Sequence, residues 1–135
     1  MNLKGTFSGL VDKALSAGGH FNQEFNAVLD EYRGTVSILE SCGFRVDKCK
    51  VSLGLLPKVH TTIRGSLDFL DITRLQGLPM TQNNRMFETL VGGLETVAKL
   101  GTVVDLKKLP DLRIHILLAV PPEISFEFAD ATDTL

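Results

Sequence analysis

Displaced by 65 residues the chain lies over itself without a gap, so that Pro57 falls on Pro122 and a helix and two strands come into register with it. Phe21 meets Met86, Phe25 meets Leu90, Leu29 meets Leu94 and Tyr32 meets Val97. Farther on, Cys49, Val51 and Leu53 fall on Ile114, Ile116 and Leu118, while Val59, Thr61 and Ile63 fall on Ile124, Phe126 and Phe128. Apolar character is preserved where identity is not. A chain of 135 residues that reads this way is expected to be one domain, 1–135, built from two pseudo-repeat halves, 3–70 and 71–130, followed by a frayed tail at 131–135.

Each half reads as two helices followed by a hairpin. Leu3, Phe7, Leu10, Val11 and Ala14 recur at helical spacing ahead of the Gly18-Gly19 stop. Asn22 or a near neighbour is placed to cap a second helix, whose stripe is Phe21, Phe25, Val28, Leu29, Tyr32, Val36 and Leu39, ended by Gly43. In the second half Ile72 and Leu75 mark a shortened first helix. Asn83 or Asn84 then caps a helix carrying Met86, Leu90, Val91, Leu94, Val97 and Ala98, which Gly101 closes.

After each long helix the period changes to two. Cys49, Val51 and Leu53 alternate with Lys48, Lys50 and Ser52, and Val59, Thr61 and Ile63 with His60, Thr62 and Arg64. Pro57 belongs to the turn between them because it has no donor for a strand interior. Phe44 and Val46 are out of phase with Cys49, which points to a bulge near Asp47 or to a strand that begins only after it, the bulge being the favoured reading. Leu112, Ile114, Ile116 and Leu118 repeat the pattern, Pro121-Pro122 turns the chain, and Ile124, Phe126 and Phe128 complete it. The expected class is therefore α+β: an internally duplicated ααββ unit giving a four-stranded antiparallel sheet with helices packed on one face, its halves related by a pseudo-twofold axis. Leu53 and Ile116 are expected to be central strand residues, each costing about 2–5 kcal/mol on truncation to Ala.

Composition excludes more than it assigns. A hydrophobic content of 44% with 22% charged residues is that of an ordinary globular protein, and a net charge of −2 gives no overall pull toward nucleic acid or acidic membranes. No run is long and apolar enough for a membrane span, and no signal-like N-terminus is present, so a cytoplasmic protein is the default expectation. Cys42 and Cys49 are too few and too far apart for a disulfide framework or a metal pair, and are expected as packing residues.

No catalytic motif with defined spacing occurs, and no cofactor is expected. Gly92 and Gly93 lie inside a helix, where they permit close packing and do not form a phosphate loop. His20 reads as an exposed or capping residue, and Asp68 and Asp71 as turn residues that cap or are solvated. His60 and His115 are different, since both alternate with the core and project from the open face of the sheet, where Glu123 and Glu127 also lie.

That face, as alternation assigns it, also holds Lys48, Lys50, Ser52, Lys58, Thr62, Arg64, Arg113 and Ser125. Fixed cations outnumber carboxylates on it although the whole chain is acidic. The sequence therefore favours a non-enzymatic binding or adaptor protein acting through Lys48, Lys50, Lys58, His60, Arg64, Arg113 and His115 toward an anionic ligand or acidic protein, through self-association as a homodimer, or both. Nucleic acid is the least favoured anion, because the face has no Phe, Tyr or Trp on which bases would stack. Two other functions compete: a carrier of a small apolar ligand between helices and sheet, and a small enzyme or metal-binding protein using His60 and His115, with Glu127 beside them.

Overall fold

The computed structural model describes residues 23–55, 58–101 and 103–130. The expected first helix, Gly18-Gly19, His20, the Asn22 cap, Pro57 and the tail at 131–135 lie outside these residues. Along the described chain run α1 (Gln23–Ser41), β1 (Arg45–Ser52), β2 (Lys58–Gly65), α2 (Ile72–Gln76), α3 (Met80–Asn83), α4 (Arg85–Leu100), β3 (Asp111–Leu118) and β4 (Glu123–Ala129). Single 3-10 turns at Leu67–Phe69 and Leu106–Lys108 link them. This is an α+β fold.

The predicted stripe of α1 is buried along its length, at Phe25, Val28, Leu29, Tyr32, Val36 and Leu39. Its end is a Schellman turn. Gly43 takes φ of 108°, its N–H donates to the Glu40 carbonyl at 3.1 Å, and the Phe44 N–H reaches the Leu39 carbonyl at 3.0 Å. A side chain at Gly43 would be strained in that left-handed conformation. Helix α4 begins at Asn84, whose side chain accepts from the Phe87 N–H, and buries Met86, Phe87, Leu90, Val91, Leu94 and Val97.

The four strands form one antiparallel sheet in the order β1-β2-β3-β4. Cys49 pairs with Thr61, Thr61 with Ile116, and Ile116 with Ile124, so the predicted inward phase runs unbroken across all four strands. Both long helices cover this inward face, and Ile63, Leu112, Ile114, Ile116 and Leu118 are sealed beneath them. The register slips between Val46 and Lys48, which leaves Asp47 unpaired and places the bulge where the phase change predicted it.

Two expectations need correction. In a sheet of this order β3 sits two places from β1 and points the same way, so a step along the sheet, and not a twofold axis, carries the first hairpin onto the second. A perpendicular twofold would exchange β1 with β4, whereas the expected 65-residue register sets β1 on β3. Leu53 is also no core residue: it lies just past β1 and is 59% exposed, while Ile116 is fully buried. Strand β1 is an edge strand that ends at Ser52, so the position matching Leu118 has run past the cover of the helices.

The glycine pair divides. A Cβ on Gly93 would come within 2.5 Å of the Phe126 ring, so the absent side chain lets α4 settle onto β4. Gly92 meets nothing within 4 Å.

Candidate functional site

The uncovered face of the sheet can be followed in rows running across the strands. Nearest the hairpin tips, Ser52 pairs with Lys58. The next row is Lys50, His60, Leu117 and Glu123, followed by Lys48, Thr62, His115 and Ser125, and then Arg45, Arg64, Arg113 and Glu127. Strand pairing thus brings the seven predicted binding residues onto one surface. Alternation alone could name the face, but the rows required the strand order.

Electrostatically the surface is two regions. Toward the far end of the sheet Arg64, Arg113, Asp111 and Glu127 pair with one another, while Arg45 and Glu123 are in no ion pair among the described residues. The Arg64 Nε donates to Asp111 Oδ1 at 2.9 Å, and the Arg113 Nε and NH2 groups donate to Asp111 Oδ2 at 3.2 and 3.1 Å. The Asp111 side chain is only 7% exposed. Burial alone would raise its carboxyl pKa, but the two guanidinium groups outweigh that and hold it below the ordinary carboxylate value. Arg113 also lies 4.0 Å from Glu127. The alternation read from Leu112 onward does not reach Asp111, which is the first residue of its strand.

Between these groups His115 is held from both sides. Its Nδ1 lies 3.1 Å from the Thr62 hydroxyl and its Nε2 lies 2.9 Å from Glu127 Oε1. A neutral ring with its proton on Nε2 satisfies both contacts, donating to the carboxylate and accepting from the hydroxyl. The His60 ring stacks on His115 with centroids 5.4 Å apart and planes inclined by 18°. Desolvation lowers the His60 pKa below its ordinary value, and His115, Lys50 and Lys48 push it in the same direction.

The order Thr62–His115–Glu127 is that of a nucleophile, a base and an orienting acid. Its surroundings do not suit acyl transfer. Thr62 is 6% exposed, and β2 and β3 are both central strands whose backbone N–H groups are directed into their neighbours, away from the face where an oxyanion would form. Among the described residues no cluster of three or more His, Cys, Asp or Glu side chains is arranged to hold a metal ion. Cys49 lies on the opposite, inward face, where burial pushes its thiol up and away from the reactive thiolate.

The other region is a patch on β1 and β2. Lys48, Lys50 and Lys58 are exposed, and among the described residues none of them is in an ion pair. His60 lies among them. Of the seven predicted residues, then, four form a cationic patch with no carboxylate partner among the described residues, and three, Arg64, Arg113 and His115, belong to the internal network with Asp111 and Glu127.

Comparison with protein-family models, with curated proteins and with solved structures gave no match to this chain.

Proposed function

We propose that this is a non-enzymatic binding protein that takes an anionic group on the patch of Lys48, Lys50 and Lys58 around His60. The observation that carries the reading is the sorting of charge: Asp111 and Glu127 are gathered against Arg64, Arg113 and His115, and Glu123 stands across the sheet on β4, which leaves the lysines without a described counter-ion. The His60 pKa is lowered chiefly by desolvation, with His115, Lys50 and Lys48 acting in the same direction. A phosphorylated ligand or an acidic protein segment supplies the charge that the patch lacks. Cytoplasmic location is part of this proposal. No described helix is long and apolar enough to cross a membrane.

Self-association belongs to the same proposal, through β4. Both β1 and β4 are sheet edges, but β1 is blunted by the bulge at Asp47 and by its lysines. Strand β4 is regular and carries half-buried Ile124, Phe126 and Phe128 on its inward side, which suits pairing with a second copy as a twofold-symmetric extended sheet.

Calorimetric titration with linear polyphosphate tests the anion site. Wild-type protein is expected to bind with an affinity that falls as salt rises, and Lys48→Glu/Lys50→Glu is expected to remove binding while the melting temperature holds, because exposed charges contribute little to folding. Unaltered binding in the double variant rejects the patch. For self-association, light scattering across micromolar concentrations should give twice the monomer mass, and a monomer mass throughout rejects it.

A further inference from the structure

The lysine patch has an apolar neighbour. Strands β1 and β3 run in the same direction, so the β1–β2 and β3–β4 turns emerge side by side at one end of the sheet, where Val59 pairs with Leu118. Both turns expose aliphatic side chains: Leu53 and Leu55 on the first, with Leu55 fully exposed, and Val120 on the second, 49% exposed. Isolated exposed leucines are ordinary. Here three aliphatic residues lie at one end of the sheet, with Lys58 and Lys50 in the rows behind them.

We infer that this end of the sheet docks on an anionic lipid bilayer, with Leu53, Leu55 and Val120 entering the boundary between headgroups and acyl chains and Lys58 and Lys50 meeting the acidic headgroups. The inference rests on the proposed anion-binding role of the same lysines and names the partner. Charge complementarity selects the occupant, since an apolar crown backed by cations matches the layering of a bilayer whose surface is negative and whose interior is hydrocarbon. A soluble anion would use the lysines and leave the leucines in water.

Position along the strand ranks the contributions. Lys58 stands in the row next to the turn and Lys50 one row behind it, about 7 Å farther from the tip at the rise of an extended strand. Lys48 is two rows behind the tip row, about 14 Å away, and acts only through the screened field of the surface. The carboxylate nearest this end on the open face is Glu123, in the Lys50 row but on β4, three strands from Lys50. No described helix is of the length and polarity to cross the membrane, so the contact is peripheral.

Co-sedimentation of the full chain with mixed phosphatidylcholine/phosphatidylserine vesicles and with pure phosphatidylcholine vesicles tests this, alongside titration with linear polyphosphate. Wild-type protein is expected to partition onto the mixed vesicles and not onto the neutral ones. Leu53→Ser/Leu55→Ser, which removes the apolar side chains without adding charge beside Lys58, should weaken vesicle binding at least about tenfold, given the free energy of burying even one leucine, while leaving polyphosphate binding and the melting temperature unchanged. Lys50→Glu/Lys58→Glu should weaken both kinds of binding. If polyphosphate binds but mixed vesicles do not, bilayer docking is overturned and the anion site stands. If neither binds, both are overturned. Vesicle binding unaltered by the leucine double variant, or a leucine variant whose only defect is loss of the dimer mass, also overturns docking and in the second case assigns the crown to a second copy of the chain.

Discussion

Asn84 ties the two long helices together through Glu31: its Nδ2 donates to the Glu31 carbonyl at 2.8 Å while its Oδ1 accepts from the Phe87 N–H at 2.9 Å. The Glu31 carboxylate returns the contact by accepting from the Arg85 N–H at 3.1 Å. One buried amide therefore caps α4 and fixes its entry against the middle of α1. Asn84→Ala is expected to cost about 1–2 kcal/mol, as a lost cap together with a lost bond to the Glu31 carbonyl, which still accepts from the Thr35 hydroxyl at 2.8 Å. Asn84→Asp keeps the cap but presents an acceptor to the Glu31 carbonyl, so it should not restore stability. Denaturant midpoints of the two variants check this, and an aspartate variant as stable as wild type would show that the interhelical bond contributes nothing.

The adjacent glycines of α4 should respond with opposite signs. Gly92→Ala adds a methyl into open space on a helix and is expected to stabilise by about 0.5–1 kcal/mol. Gly93→Ala drives a methyl into the Phe126 ring and should destabilise by about 1–3 kcal/mol. Thermal melts decide, and equal shifts in the two variants would contradict the close approach of α4 to β4.

Asp111 predicts an acid-labile component of stability. Its folded pKa lies below the unfolded value of about 3.8, so its contribution is present above that value and is lost as pH falls through the folded one. Asp111→Asn should flatten the stability profile in this acid range. Arg64→Glu, a change that outward alternation alone would class as harmless, should destabilise by placing a second carboxylate beside a buried one. Urea melts between about pH 5 and about pH 2 read the first effect, and melts at neutral pH the second.

His60 carries a second, distinct pH dependence. Its folded pKa is below the ordinary 6.5, so the folded state binds fewer protons than the unfolded one in the interval between those values, and stability falls as pH drops through it. Desolvation lowers this pKa first and the neighbouring cations second; an anion on the lysine patch opposes the second effect, and binding should therefore take up a proton and strengthen from about pH 7 toward about pH 5. His60→Gln should make polyphosphate affinity nearly independent of pH over that range. Affinity that rises with pH in wild-type protein would contradict the placement of the anion beside His60.

Matched truncations separate edge from centre. Ile116→Ala, under both helices, should cost about 2–5 kcal/mol, whereas Leu53→Ala, exposed past the end of β1, should fall within about 0.5 kcal/mol of wild type. Chemical denaturation of the pair measures the contrast directly.

These contrasts show where sequence pattern carried information and where it stopped. The stripe of α1, most of that of α4, the Gly43 stop, the phase change near Asp47 and the phase of the strands were legible, because each is set by residues a few positions apart, although Ala98 is exposed and the buried Phe87 stood outside the expected α4 stripe. Leu53 was misplaced because period-two alternation says which way a side chain points and is silent on whether a helix lies above it. The site was half legible for the same reason. Alternation put Lys48 and Arg64 on one face alike, yet only the adjacency of β2 and β3 reveals that Arg64 meets Asp111 while Lys48 meets no described carboxylate. Stacking of His60 on His115 likewise depends on partners that are far apart in the chain.

The strand order has a kinetic side as well. Pairing of β1 with β2 and of β3 with β4 closes short turns, but joining β2 to β3 encloses α2, α3 and α4 and carries the largest loop-closure entropy in the sheet. The side-chain bonds between strands gather on this junction: the Thr61 hydroxyl donates to the Ile116 carbonyl at 3.4 Å, Thr62 meets His115, and Arg64 meets Asp111. The seam that is slowest to find is thus the one most heavily stitched once found, and two preformed hairpins are held as a single sheet by contacts that neither could make alone.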